Sequence, residues 1–223
     1  MKNDTVLLIA PHLDDEVLGC GGTLAAHARE GHDVFVCFIA HRVYDHVYDE
    51  SRMEVELEHA NKAREILGYR DFFFLDLPDE RLDRCLQDII VPLERVFSEV
   101  EPRIVYSPFP FDNNQDHRAA ARAAEVVLRP AAAKTMRRWL VYETPSSTEQ
   151  APAVLAPPFR PNVYRDITAH LDTKLCALSC YETESREYPH PRSPEAVRAL
   201  AMKRGVEADL PLAEAFMLVR EKD

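Results

Sequence analysis

Residues 5–22 read Thr-Val-Leu-Leu-Ile-Ala-Pro-His-Leu-Asp-Asp-Glu-Val-Leu-Gly-Cys-Gly-Gly. Thr5–Ala10 is short, apolar and stopped by Pro11, the pattern of a strand buried on both faces. Asp15–Glu30 predicts a helix, with acids in its first turn, where the macrodipole favours them, and Gly31 just past its end. A buried strand running directly into a helix is the opening unit of an α/β fold. Half of the chain's 6 glycines fall at Gly19, Gly21 and Gly22, where a missing Cβ lets the helix lie close to a sheet.

The same alternation continues. Strands are predicted at Asp33–Ala40, Phe72–Leu75, Ile104–Ser107 and Trp139–Glu143. Helices are predicted at Ser51–Leu67, Arg81–Val100 (kinked or broken at Pro92) and Asp116–Leu128. Continuous apolar strands separated by helices indicate a mostly parallel sheet covered on both faces. Ligands of such sheets bind beyond the carboxyl ends of the strands. Residues 145–161 read as a long loop, followed by a short strand near Val163 and helices over Thr168–Tyr181 and Pro194–Arg204. Ala213–Arg220 fits a strand or a helix equally. No linker or repeat divides the chain, so a single domain over 1–223 is expected, with a core at 1–145 and an extension, 146–223, packed on it.

The chain has 223 residues, 46% hydrophobic and 29% charged, so it can bury a core without disulfides or structural metals. The formal charge of −11 argues against a nucleic-acid or anionic-membrane binder. No stretch reaches the ~20 apolar residues of a membrane span, and no signal peptide is legible, so a cytoplasmic location is expected. The 5 cysteines form no Cys-x-x-Cys. Cys176 and Cys180 stand four apart, a spacing read as core packing rather than metal binding.

Two turns carry the chemistry. His12, Asp14 and Asp15 lie between the first strand and its helix. Asp112-Asn113-Asn114-Gln115-Asp116-His117-Arg118 follows the fourth strand and opens onto the same edge of the sheet. Capping and the macrodipole explain the acids and Asn114, but His117 gains nothing from a helix N-terminus. Two strand-to-helix turns, each with His and Asp, point to a metal site.

Pro11–Val34, taken with the Asp-Asn-Asn-Gln-Asp-His-Arg run, resembles the PIG-L/LmbE family of zinc-dependent N-deacetylases. Further similar stretches are residues 51–68, 141–148, 190–205 and 213–220. The resemblance implies a Rossmann-like three-layer sandwich. It implies His12, Asp15 and His117 as metal ligands, Asp14 as general base and Asp116 as a carboxylate orienting an imidazole or Asp14. It also implies Zn²⁺ (with Fe²⁺ as the alternative), N-acetylated amino sugars or their conjugates as substrates, and trimers or hexamers. Leu13 stands where the family has Pro. Asn114 stands where many members have a His; its amide can donate to an oxyanion but cannot deliver a proton. The proton shuttle then falls to Asp14 alone or to a histidine such as His41. Arg42, Arg52, Arg192 and His41 are candidate substrate contacts, and Ser146, Ser147 and Thr148 candidate borders of a sugar pocket. Three rival readings are a non-haem iron oxygenase, a nucleotide-binding module using Gly19–Gly22, and a catalytically silent metal-binding relative. The first conflicts with the strand and helix alternation; the glycine spacing matches no phosphate loop.

Overall fold

The computed structural model describes residues 3–41, 50–84 and 86–223. Among these residues, seven strands and six α-helices follow one another, alternating as far as β5: β1 Thr5–Ala10, α1 Asp15–Arg29, β2 Asp33–His41, α2 Glu50–Leu67, β3 Asp71–Pro78, α3 Leu86–Val100, β4 Ile104–Pro108, α4 Gln115–Val127, β5 Arg138–Tyr142, β6 Val163–Asp166, α5 Leu171–Leu178, α6 Pro194–Val206 and β7 Ala213–Glu221. They build one sheet in the order β3-β2-β1-β4-β5-β7-β6. The first five strands are mutually parallel, and β7 runs antiparallel between β5 and β6.

The period of two along β1 divides the core. Val6, Leu8 and Ala10 pack with Val17, Leu18 and Leu24 of α1, Ala60 and Ala63 of α2, and Ala177 and Leu178 of α5. Leu7 and Ile9 face the other way, toward Ile89, Leu93 and Val96 of α3 and Ala120 and Ala123 of α4. The result is a single-domain α/β three-layer sandwich. The chain turns back between β1 and β4: β2 and β3 extend the sheet to one side, β4 and β5 to the other.

Several elements differ from their predicted form. Helix α3 begins at Leu86 rather than Arg81, because Asp79–Arg84 forms a turn whose backbone N–H groups donate to Asp116. It continues through Pro92, since its apolar stripe Ile89, Ile90, Leu93, Val96 and Phe97 packs on both sides of the proline. The undecided C-terminal segment is strand β7, held between two antiparallel neighbours. Of the two cysteines read as core, α5 turns Leu171, Lys174, Ala177 and Leu178 inward and leaves Cys176 exposed, whereas the partly buried Cys180 packs against the core. Among the described residues, no helix is long and apolar enough to cross a membrane.

Gly19 and Gly22 bring α1 close to its neighbours. A Cβ at Gly19 would overlap the Tyr142 ring, and one at Gly22 would lie 2.7 Å from the Ile167 side chain. The Tyr142 hydroxyl donates to the Ile9 carbonyl at 2.9 Å, so the ring cannot swing away without leaving that oxygen unpaired. Gly19→Ala should therefore destabilise the fold by about 1–3 kcal/mol, the usual cost of overpacking. In thermal denaturation this is a fall of roughly 2–4 °C per kcal/mol for a chain of this size.

His27 supplies a second test. It is buried on α1, with Nε2 3.0 Å from the Tyr106 hydroxyl. Burial, aided by the charge of Arg165, pushes its pKa down to about 3. The unfolded chain takes up a proton near pH 6.5 that the folded chain refuses. Stability should accordingly fall as the pH drops through 6.5 toward 3. Between pH 7 and 5 this one group costs about 2 kcal/mol. In urea titrations at the two pH values, His27→Gln should show a loss smaller by about that amount.

Candidate metal centre

The site lies at the carboxyl ends of β1 and β4, where the order of strands reverses. The β1–α1 turn contributes His12, Asp14 and Asp15. Asp14 is the N-cap of α1, at φ 125° and ψ −25°, a left-handed conformation unusual for a residue with a side chain. Its side chain does not cap the helix. Its carbonyl accepts the N–H groups of Val17 (3.0 Å) and Leu18 (2.9 Å), and its own N–H donates to Glu16 Oε2 (3.1 Å). Backbone in this region costs on the order of 1–3 kcal/mol and is typical of functional turns.

One oxygen, Asp15 Oδ2, is the hub. It lies 3.2 Å from His12 Nδ1 and 3.3 Å from His117 Nε2, and it accepts the His12 backbone N–H at 2.9 Å. His117 arrives from the first turn of α4, and the two imidazole centroids are 5.3 Å apart. His12, Asp15 and His117 thus offer three ligand atoms within 4.8 Å of one another, all on buried side chains. The far nitrogen of each ring meets further carboxylates. His12 Nε2 stands 3.0 Å from Asp79 Oδ1 and 3.4 Å from Asp116 Oδ2, and His117 Nδ1 stands 3.4 Å from Asp112 Oδ1. A ring with one nitrogen toward the common centre and the other on a carboxylate is the usual setting of a metal-bound histidine. The three donors therefore suit a dication of the zinc or iron(II) type.

The electrostatics agree with the geometry. Burial alone would lower both imidazole pKa values. For His117, the charge of Asp15 and the contact with Asp112 outweigh burial and raise it to about 9. His12 is likewise held well above its ordinary value, by Asp116, Asp15 and Asp79. Burial would raise Asp15, yet the two imidazoles keep it well below the usual carboxylate range. Burial pushes Glu16 up to about 8, against the opposing pull of the Tyr181 hydroxyl, which donates to Glu16 Oε1 at 2.6 Å.

The remaining candidates are distributed as follows. Asp116 also accepts from the N–H groups of Glu80 (2.6 Å) and Leu82 (3.1 Å), so it joins the β3–α3 turn to His12 rather than to Asp14. Asn114 is the N-cap of α4, its oxygen accepting the Asp116 N–H at 2.8 Å. His41 sits at the end of β2 with Nδ1 2.8 Å from Asp76 Oδ1. Arg52 is exposed on the first turn of α2; Arg42 lies outside the described residues. Arg192 contacts Asp14 Oδ2 at 2.8 Å and Glu184 Oε2 at 2.6 Å. The loop hydroxyls read as a sugar border hold other side chains instead. Ser147 and Thr148 both donate to Asp112, and Ser146 accepts from Arg192.

Asp79 and Glu184 are site residues that sequence reasoning missed, and Asp112 stands in the second motif without a role assigned to it there. Asp79 stands in a strand-end turn, like the other two motifs, and that position was its available signal. A second His/Glu/His group, His27, Glu30 and His32, lies far from this edge. Tyr106, Arg165 and the Asp4 N–H already occupy it.

Residues 7–128 match the PIG-L family, described as GlcNAc-PI de-N-acetylase. The uncharacterized deacetylase YaiS of Escherichia coli is 30% identical over 192 residues, covering 82% of this chain and 92% of that protein. The 4-oxalmesaconate hydratase of Pseudomonas putida is 28% identical over 222 residues, covering 92% and 81%. The diacetylchitobiose deacetylase of Thermococcus kodakarensis is 27% identical over 194 residues, covering 82% and 70%. The crystal structure of the conserved protein TT1542 from Thermus thermophilus superposes with a TM-score of 0.77 at 24% identity, over 98% of this chain and 96% of that one. The chain belongs to the PIG-L family of LmbE-type deacetylases.

Proposed function

We propose that this protein is a metal-dependent hydrolase that removes the acetyl group from a small N-acetylated amino sugar or its conjugate. The observation carrying this reading is the shared oxygen Asp15 Oδ2 between His12 Nδ1 and His117 Nε2, with Asp14 on the adjacent residue. The family match and the diacetylchitobiose deacetylase relative support the substrate class. His12, Asp15 and His117 would hold the metal, zinc in the first instance and iron(II) as the alternative. Such a dication, when bound, supplies an activated water and charge stabilisation at the carbonyl oxygen.

The chain's own residues do the rest. Asp14 accepts the proton of the attacking water as the new C–O bond forms. As the C–N bond breaks, Asp14 returns that proton to the departing amine. The Asn114 oxygen is committed to the Asp116 N–H, so its NH₂ is the end that can donate to the developing oxyanion. Asp116 with Asp79, and Asp112, hold the outer nitrogens of the two imidazoles and so fix which nitrogen of each ring faces the ligand.

A second reading has an observation of its own. Asn114 stands where many deacetylases of the family have a histidine for the departing amine, and a hydratase has no amine to expel; the proton that its product carbon takes up would come from Asp14 after the water is deprotonated. The Pseudomonas relative that covers 92% of this chain is a hydratase. The deciding experiment offers the purified protein both substrate classes, with and without a chelator. Chelator-sensitive acetate release from N-acetylated sugars supports the deacetylase. Loss of ultraviolet absorbance from a conjugated unsaturated polycarboxylate, without acetate release from any sugar, supports the hydratase.

Two variants separate the roles. Asp14→Asn should keep its metal and lose about 10²–10⁴ in turnover, the usual worth of a general base. His117→Ala should lose the metal itself. Zinc at 100 times its dissociation constant should stabilise the wild type by about 2.7 kcal/mol and leave this variant's melting temperature unmoved.

A further inference from the structure

Arg192 lies between α5 and α6, immediately before Ser193, the N-cap of α6. Its guanidinium is held on three sides. NH1 donates to Asp14 Oδ2 at 2.8 Å and to Glu184 Oε2 at 2.6 Å, and Nε donates to Ser146 Oγ at 2.6 Å. Asp14 and Glu184 are buried, and the arginine side chain is 19% exposed. One cation therefore sits between two carboxylates. An anionic substrate group approaching it would meet both of them, so this arginine is poorly suited to anchor substrate.

It is well suited to a different task. Asp14 sits at the strained start of α1, and its side chain does not cap the helix. The contacts of its oxygens set the direction of the carboxylate, and the guanidinium on Oδ2 at 2.8 Å is one of them. Arg192 takes one of its two oxygens, and Glu184 and Ser146 stop the guanidinium from following if the carboxylate turns. A planar fork with donors in fixed directions can serve these three partners together, whereas a lysine ammonium keeps the charge and loses the geometry.

We propose that Arg192 is a positioning residue that acts through Asp14. It fixes the Asp14 carboxylate in one orientation, with Oδ2 on the guanidinium and the other oxygen presented toward the water to be deprotonated. This rests on the reading of Asp14 as general base given above. It assigns the segment around Arg192 to the catalytic machinery rather than to substrate recognition.

The test combines kinetics with crystallography on the metal-loaded full chain. Arg192→Ala should retain its metal, keep KM within about twofold, and lose about 10²-fold in kcat, the cost of a small misplacement of a reacting group. Arg192→Lys should recover part of that loss, on the order of tenfold, because the charge remains. The double variant Asp14→Asn/Arg192→Ala should be no slower than Asp14→Asn alone, since a residue acting through Asp14 has nothing left to position. Crystals of Arg192→Ala should show Asp14 in a different rotamer, or in more than one. A raised KM with kcat intact would make Arg192 a substrate anchor and overturn the proposal. So would loss of metal in Arg192→Ala, multiplicative losses in the double variant, or an unmoved Asp14 carboxylate in the crystals. If the wild type releases acetate from no N-acetylated sugar, the deacetylase reading fails by itself, and the Asp14 rotamer still decides the clamp.

Discussion

A single carboxylate oxygen holds the working end of this molecule together. Asp15 Oδ2 draws His12 and His117 to one point from two separate turns, and everything else at this edge answers to that convergence. Burying carboxylates is costly unless positive charge or donors compensate. Here Asp14, Asp15, Asp112 and Asp116 are all buried within one neighbourhood. Among the described residues, His12 and His117 lie against Asp15, Arg192 lies on Asp14, and N–H and O–H groups donate to Asp112 and Asp116. A dication held by His12, Asp15 and His117 would add to that compensation.

The fold explains why the convergence occurs at that point. In a parallel sheet the chain can leave a crevice only where successive connections depart in opposite directions. That happens between β1 and β4, and both motif turns begin there. The second half of the chain then closes the crevice. Tyr181 reaches Glu16, Arg192 reaches Asp14, and Ser147 with Thr148 reach Asp112. Each of these contacts orients a residue of the first half. The strands β6 and β7 in this part of the chain belong to the same sheet, so the closing residues rest on the same rigid frame as His12, Asp15 and His117.

This division accounts for what the sequence could reveal. The strand and helix order was legible because β1, β2 and β4 are buried on both faces and read as unbroken apolar runs. The two motif turns were legible because histidine at a helix start has no structural excuse. Asp79 was not, because a helix drawn from Arg81 absorbed the turn that presents it. Arg192 and Ser147 were visible as residues but not as partners. A guanidinium 178 positions from its carboxylate leaves no local pattern, and its spacing to Asp14 is set only by the way α5 and α6 pack back. Cys176 was misjudged because spacing by four fixes a shared face without saying which face points inward.

Asn114 bears on how protons would move in the proposed reaction. As an N-cap it completes α4, and a histidine there would give up an oxygen that now satisfies the Asp116 N–H. Asn114 therefore steadies the very turn that holds Asp116 and His117, at the expense of a second acid. In the deacetylation proposed above, with no imidazole at that position, Asp14 both receives a proton and delivers it to a different atom. A base used twice needs its orientation kept between the two transfers, because a carboxylate that turned after the first would face the wrong partner for the second. A rigid guanidinium on Oδ2 meets that need. On this reading an asparagine at 114 and the grip of Arg192 on Asp14 are two sides of one arrangement.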